Sequence, residues 1–223
     1  METVLSLLND LGFERTVEPL SDPIVVHAVP GSGKTTLDKQ AALKNQNIEL
    51  VIFGVPEKAT IHGTYIKKAR QGQRGRGNYS ILDEYLSGKY LTGFNCLFSD
   101  LYQNHGDCLE AHFIGRCSHR LGNQTVQPLQ HLGYNIASSK QDIVERKNIF
   151  QLVDPEGVII CLEKSVEDFL KWHSVEYKLP CQVRGATYEC VTFIHEKPLE
   201  ELVSPDLLLA MTRHKTKLVL VTN

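Results

Sequence analysis

Apolar side chains recur along this sequence at two different spacings, and the switches between them mark out the elements. Val4, Leu5, Leu7, Leu8 and Leu11 repeat at helical intervals, so residues 1–13 read as a packing helix. Residues 18–23 are loop-like. Ile24-Val25-Val26-His27-Ala28-Val29 is apolar without alternation, as in a strand buried on both faces. A helix is predicted over 37–44 and a second buried strand over 48–54. Further strands are predicted at 79–85, where the run ends in two acids, and at 94–100 and 111–116. The pattern then restarts, with strands at 113–117, 149–153, 157–162, 189–194 and 217–221 and helices at 125–132, 166–172 and 205–212. This alternation predicts an α/β fold of two layers, each a mainly parallel sheet flanked by helices, with the boundary near Gly115.

Composition narrows the partners more than the fold. The 223 residues are 42% hydrophobic and 22% charged with a net charge of −2, which argues against bulk disorder and against a uniformly basic nucleic-acid coat. Any nucleic-acid site is then a local patch. Lys67, Lys68, Arg70, Arg74 and Arg76 lie within 67–77 with no acid among them. That segment reads either as a mobile basic loop that pairs with phosphate and stacks on bases, or as a merely solvated one. No apolar run reaches membrane-spanning length. Six cysteines with no C-x-x-C pair and no secretory signal predict reduced thiols. His105, Cys108, His112, Cys117 and His119 cluster, but their spacing fits no zinc pattern, and packing on a strand accounts for His112 and Cys117.

The chemistry concentrates in Ala28-Val29-Pro30-Gly31-Ser32-Gly33-Lys34-Thr35-Thr36, between a buried strand and a helix. Glycines there let backbone N–H groups converge on phosphate oxygens, and the helix N-terminus adds a favourable dipole. Pro30, Gly31, Ser32, Gly33, Lys34, Thr35 and Thr36 are therefore the candidate nucleotide-binding residues. Lys34 would reach the β- and γ-phosphates and the Thr35 hydroxyl would hold Mg²⁺. Ala28 stands where the fuller pattern has its first glycine, which the loop accepts if φ there is negative. Beside such a loop, Asp83 would hold Mg²⁺ directly or through its waters, and Glu84 would polarise the attacking water.

With these residues the chain resembles the superfamily 1 helicases and, within them, the first movement proteins of the plant-virus triple gene block of potexviruses and carlaviruses. Residues 28–35 match motif I and Leu82-Asp83-Glu84-Tyr85 motif II. Ser99-Asp100-Leu101-Tyr102-Gln103 resembles motif III, and Ser118-His119-Arg120 motif IV. Val183-Arg184-Gly185-Ala186-Thr187-Tyr188-Glu189-Cys190-Val191 resembles motif V, and Ala210-Met211-Thr212-Arg213-His214-Lys215 motif VI. The resemblance implies two RecA-like P-loop NTPase layers: 1–115 with motifs I, Ia, II and III, and 116–223 with motifs IV, V and VI. It assigns Lys34, Glu84, Gln103, Arg120 and Arg213 to hydrolysis, with ATP as substrate and Mg²⁺ as cofactor. Gln103 would sense the γ-phosphate or orient water, and Arg120 and Arg213 would act as arginine fingers. Arg184 stands where the motif often has Gln, and joins Lys67, Lys68, Arg70, Arg74 and Arg76 as an RNA contact. Also implied is an RNA helicase that carries viral genomes between cells and suppresses host RNA silencing, in the host cytoplasm and at plasmodesmata. Its implied partners are single-stranded viral RNA, the coat protein and the two small triple-gene-block membrane proteins; homo-oligomers are allowed and direct membrane insertion is not expected. A chain that starts at Met1 and stops just past motif VI is expected of a free-standing movement protein. The competing expectation is an RNA carrier or coating protein for which nucleotide is only a structural or switching ligand; the full set of hydrolytic residues favours the enzyme.

Overall fold

The computed structural model describes residues 2–45, 47–56, 65–75, 79–89, 91–100, 102, 108–151 and 154–222; Arg76, Gln103 and His105 lie outside the described residues. The chain divides into two compact units, Met1–Cys117 and Ser118–Asn223.

In the first unit, helix α1 (Glu2–Asp10) buries Val4, Leu7 and Leu8 along one stripe. The strands are β1 (Glu14–Arg15), β2 (Ile24–Ala28), β3 (Ile48–Ile52), β4 (Lys67–Lys68), β5 (Tyr79–Asp83), β6 (Cys96–Ser99) and β7 (Phe113–Gly115), and helix α2 (Lys34–Lys44) joins β2 to β3. They lie in the order β1-β7-β2-β6-β5-β3-β4. All pairs are parallel except the edge strand β1, which runs antiparallel to β7. Every residue of β2 is buried, as a strand covered on both faces requires. Period-two alternation splits the apolar residues between two cores. Ile24, Val26, Leu50, Ile81 and Phe98 pack with α1 and with Leu37 and Ala41 of α2. Val25, Val51, Leu82 and Leu97 pack with Tyr85, Leu91 and Phe94 on the other face. Each such side chain stabilises the fold by about 1.5–3 kcal/mol relative to exposure.

This topology places a cleft. The chain leaves β2 toward β3 on one side and later crosses to β7 on the other, so strand order reverses at β2. In parallel sheets, ligands bind outside the carboxyl ends of the strands at such a point. Ala28, Asp83 and Ser99 end their strands at that edge. The basic segment is not all loop: Lys67 and Lys68 form edge strand β4, in register with Val51 and Ile52. Two residues are too short a run to read as a strand from sequence; the pairing edge of β3 supplies the order.

The second unit holds α3 (Asn123–His131), β8 (Ile143–Asn148), β9 (Val158–Cys161), α4 (Lys164–Trp172), α5 (Pro180–Val183), β10 (Tyr188–Ile194), α6 (Pro205–Met211) and β11 (His214–Thr222). Its sheet has the order β8-β11-β10-β9 and is parallel throughout. Ile159, Cys161, Ile194, Val219 and Val221 meet Val166 and Leu170 of α4 in one core. Of the strand expected at 149–153, Leu152 and Val153 lie outside the described residues and Ile149–Gln151 is a 3₁₀ turn; the strand is Ile143–Asn148 just before it. That strand is an edge with few apolar residues, so its pattern is hidden. Its charges are used instead, since Glu145 and Lys147 share a four-membered ion network with Lys217 and Glu156 at 2.7–3.2 Å.

Candidate active site

The loop after β2 is built on two glycines. Gly31 has φ 77° and Gly33 φ 93°, left-handed values that a side chain resists. Ala28 ends β2 and is not among the residues with positive φ, so the alanine meets the condition its position sets. Pro30 and Ser32 are buried, whereas Thr35 and Thr36 are exposed on the first turn of α2. Lys34 Nζ donates to the carbonyls of Ala28 (3.1 Å) and Val29 (3.2 Å) and lies 3.9 Å from Asp100 Oδ2. The lysine is thus folded back over its own loop and held at the strand's carboxyl end.

Acids surround it. Asp83 is 3% exposed and accepts the Glu84 N–H at 2.8 Å through Oδ1. Burial raises its pKa, Lys34 and the Glu84 N–H oppose the rise, and Asp100 adds to it. Asp100 is buried and accepts the Tyr102 N–H at 3.2 Å. Asp38, one helical turn beyond Lys34, is 1% exposed, and its Oδ1 has no hydrogen-bond partner among the described residues. Burial first, then Asp83, push its carboxyl well above the usual range, and Lys34 counters them. Glu84 has φ 53°, a left-handed value rare outside glycine, which turns the chain sharply after β5. Its carboxylate rests where a side chain on Gly54 would stand: a Cβ there would lie 2.3 Å from Glu84 Oε2.

An acid cluster of this kind around one lysine fits a divalent cation. Among the described residues no three His, Cys, Asp or Glu side chains form a closed metal cage. Mg²⁺ does not need one, because it takes one or two protein ligands and completes its shell with substrate phosphates and water. Asp83 and the exposed Thr35 hydroxyl are the residues suited to hold it, and the orphaned Asp38 oxygen marks a place where further positive charge or a proton is wanted.

The other candidates fall in both units, and each is described within its own. Lys67, Lys68, Arg70 and Arg74 are exposed at the β4 side of the first sheet, with Lys67 6.0 Å from the Tyr65 ring centroid. In the second unit Arg120 is half-buried in the loop before α3, and Arg184 is half-buried after α5. Arg213 is buried and donates to Thr212 Oγ1 at 3.2 Å. Gln103 and Arg76 lie outside the described residues. Sequence reasoning passed over Asp38. The signal was an acid inside the buried stripe of α2, between Leu37 and Ala41. It also passed over His27, whose Nε2 lies 2.8 Å from the Tyr85 hydroxyl. Burial and the Lys34 charge lower the pKa of His27 to about 4, so it is neutral at neutral pH. His112 is a packing residue: its Nδ1 accepts the Val25 N–H at 2.9 Å and its Nε2 faces Ser21 Oγ at 3.1 Å.

A family model described as the viral superfamily 1 RNA helicase core domain matches residues 24–222. The chain belongs to that family. Among curated relatives of this helicase, the movement and silencing protein TGBp1 of Apple stem pitting virus (isolate PA66) is 84% identical over 223 residues, all of both chains. The TGBp1 of Lily symptomless virus is 35% identical over 225 residues, covering 100% of this chain and 96% of that protein. Among solved structures, a complex of arterivirus nonstructural protein 10, a helicase, with DNA superposes with a TM-score of 0.52 at 16% identity. That match covers 98% of this chain and 57% of the other, and at this identity it speaks for the helicase fold alone. The chain therefore spans a little over half the length of that helicase.

Proposed function

We propose that this chain is an RNA-stimulated NTP hydrolase that acts on single-stranded viral RNA, in the role its relatives' names give them: cell-to-cell movement and silencing. The observation that carries the reading is the buried set Asp38, Asp83 and Asp100 gathered around Lys34 at the carboxyl edge of a parallel sheet. In this reading the two units are the RecA-like layers, with the nucleotide loop in the first. Lys34 exchanges its loop carbonyls for the β- and γ-phosphates of ATP. Thr35 and Asp83 would hold Mg²⁺, which would supply neutralising charge for the phosphates. Glu84 takes the proton from the attacking water as that oxygen bonds to the γ-phosphorus and the bond to the β-γ bridging oxygen breaks. Gln103 orients the water, and Arg120 and Arg213 stabilise the charge that develops, an effect worth ~10³–10⁵ in rate for such arginines. Coat protein and the two small triple-gene-block membrane proteins are the expected partners, at plasmodesmata. No helix among the described residues is long and apolar enough to cross a membrane.

Phosphate release measured with and without single-stranded RNA tests the proposal. Turnover that rises with RNA supports it; nucleotide binding without turnover in either condition would make the protein a carrier with a nucleotide switch.

Two further results are expected. Gly54→Ala should cost little stability, because the new methyl meets the movable end of Glu84 rather than backbone. It should displace that carboxylate and lower kcat ~10-fold, with nucleotide affinity kept. Equilibrium binding of a fluorescent ATP analogue beside steady-state kinetics separates the two quantities, and an unchanged kcat would show the carboxylate is free to settle elsewhere. RNA affinity should rest on the exposed basic segment. Each phosphate contact contributes a slope of about −0.7 to log affinity against log salt, so three contacts among Lys67, Lys68, Arg70, Arg74 and Arg76 amount to about 2 units. Neutralising all five should flatten a salt titration by that much and leave RNA-free hydrolysis intact. An unchanged slope would place the RNA elsewhere, with Arg184.

A further inference from the structure

The second unit contains a buried polar cluster that the nucleotide chemistry above does not use. Asp142, whose side chain is fully buried, accepts the Gly122 N–H at 2.9 Å through Oδ2 and the Gln124 N–H at 3.0 Å through Oδ1. It thereby closes the N-terminus of α3, where orphaned N–H groups and the helix dipole favour a carboxylate. Gly122 makes this closure sterically feasible: a Cβ there would lie 2.4 Å from the Asp142 carboxyl carbon and backbone nitrogen. From the other side His214 Nε2 lies 3.4 Å from Asp142 Oδ2 and 3.0 Å from Thr125 Oγ1, with His214 0% exposed. Burial alone would raise the Asp142 pKa, but bonds from His214, Thr125, Gly122 and Gln124 outweigh it and lower it to about 2. The carboxylate is therefore charged throughout the physiological range.

What this cluster joins gives it meaning. Gly122 is two residues after Arg120, and the loop between is pinned by the Leu121 N–H to Ser118 Oγ (3.1 Å) and by Ser138 Oγ to the Leu121 carbonyl (2.7 Å). His214 follows Arg213 directly and begins β11. Lys140 repeats the connection at the surface, reaching the carbonyls of Arg120 (3.3 Å) and Lys215 (3.4 Å). Two segments that are 93 positions apart in sequence, each carrying one of the arginines assigned to the γ-phosphate, are thus tied to one carboxylate.

We propose that Asp142, bridged to His214 and Thr125, is a positioning residue that holds the Arg120 and Arg213 segments in a fixed register, so that both arginines are delivered as one unit. This rests on the reading of those two arginines as acting on the transferred phosphate. Bonding to backbone on one side and to the neighbour of Arg213 on the other, Asp142 restricts where both segments can place their guanidinium groups, and misplacement of about 1 Å can cost ~100-fold in rate.

The test is a set of variants in the full chain, each measured for kcat, for equilibrium affinity toward a fluorescent ATP analogue with Mg²⁺, and for melting temperature. Asp142→Asn presents an amide nitrogen to one of its N–H donors, and Thr125→Val removes one hydroxyl at nearly constant shape. Both are expected to lower kcat ~10- to 100-fold while nucleotide affinity stays within about twofold, because the nucleotide loop belongs to the other unit. His214→Gln, which keeps an N–H near the Nε2 position, should retain most turnover where His214→Leu loses it. In a background carrying both Arg120→Lys and Arg213→Lys, Asp142→Asn should add little further loss, since Asp142 acts through those two side chains. A purely structural role would instead lower melting temperature and scale turnover and active-site concentration together, with no rescue by glutamine. Wild-type kcat in both Asp142→Asn and Thr125→Val, while Arg120→Lys and Arg213→Lys are impaired, overturns the inference alone. Wild-type kcat in both Arg120→Lys and Arg213→Lys overturns the arginine reading, and the inference with it.

Discussion

Lys34→Ala is expected to reduce NTP hydrolysis by at least ~10³-fold and to leave a folded protein. Positioning and electrostatics supply most of the catalysis in phosphoryl transfer, and removing one preorganised donor to developing charge already costs ~10²–10³. Lys34 does more than donate one bond, because it is the cation whose charge opposes the raised pKa values of both Asp38 and Asp83. Its loss leaves those carboxyls to be neutralised by protons instead of by an ammonium group, which spares the fold the cost of a naked buried charge. The hydrogen bonds given up go to loop carbonyls, Ala28 O and Val29 O, and no apolar core contact disappears. A pH signature should accompany the loss. Folded-state pKa values raised above 3.8 contribute stability below the unfolded value that is lost as pH rises. Without Lys34 the rise is larger, so melting temperature should fall more steeply from acid toward neutral pH than in the wild type. Phosphate release, circular dichroism and a pH series of melts check all three points, and wild-type turnover with wild-type circular dichroism would refute the placement of Lys34.

The strand, glycine turn and helix around Lys34 were legible because their signal is local: apolar strand, two glycines, lysine and helix follow one another in 24–44, and steric rules at Gly31 and Gly33 leave few alternatives. The two-layer α/β arrangement was legible because buried parallel strands such as β2 carry continuous apolar runs. What escaped was set by tertiary contact. Strand β8 carries Ile-Val-Glu-Arg-Lys-Asn, and pairing with β11 and the ion network make it a strand; nothing within the hexapeptide does. Lys67 and Lys68 read as loop because two residues have no period, yet the edge of β3 captures them. Asp38 is a single polar residue on a helix, and its meaning comes from β5, 45 positions on, whose Asp83 charge adds to burial in raising its pKa. Asp142 and His214 are 72 positions apart, and no spacing rule could have joined them.

The adjacent acids Asp83 and Glu84 should separate cleanly when each is made neutral. Asp83 is locked in place: its Oδ1 accepts the Glu84 N–H, and it sits 3% exposed beneath the lysine. Asparagine can keep that bond through its own carbonyl, so Asp83→Asn should fold, and its melting temperature without nucleotide should be unchanged or higher, because an acid whose burial raises its pKa has been replaced by a neutral group. What it loses is charge on a hard cation's ligand, and Mg²⁺-dependent nucleotide affinity should fall ~10- to 100-fold. Glu84→Gln is different. The side chain keeps its shape over Gly54 and the backbone keeps its left-handed turn at φ 53°, so binding should stay within about twofold. The amide cannot take a proton from water, and kcat should fall ~10²–10⁴-fold, the contribution a positioned general base makes. Titrating a fluorescent ATP analogue at fixed Mg²⁺, then measuring single-turnover hydrolysis in the same samples, gives both quantities for each variant. Equal losses of affinity in the two would mean that the carboxylates act jointly on the cation, and the water would then need another base.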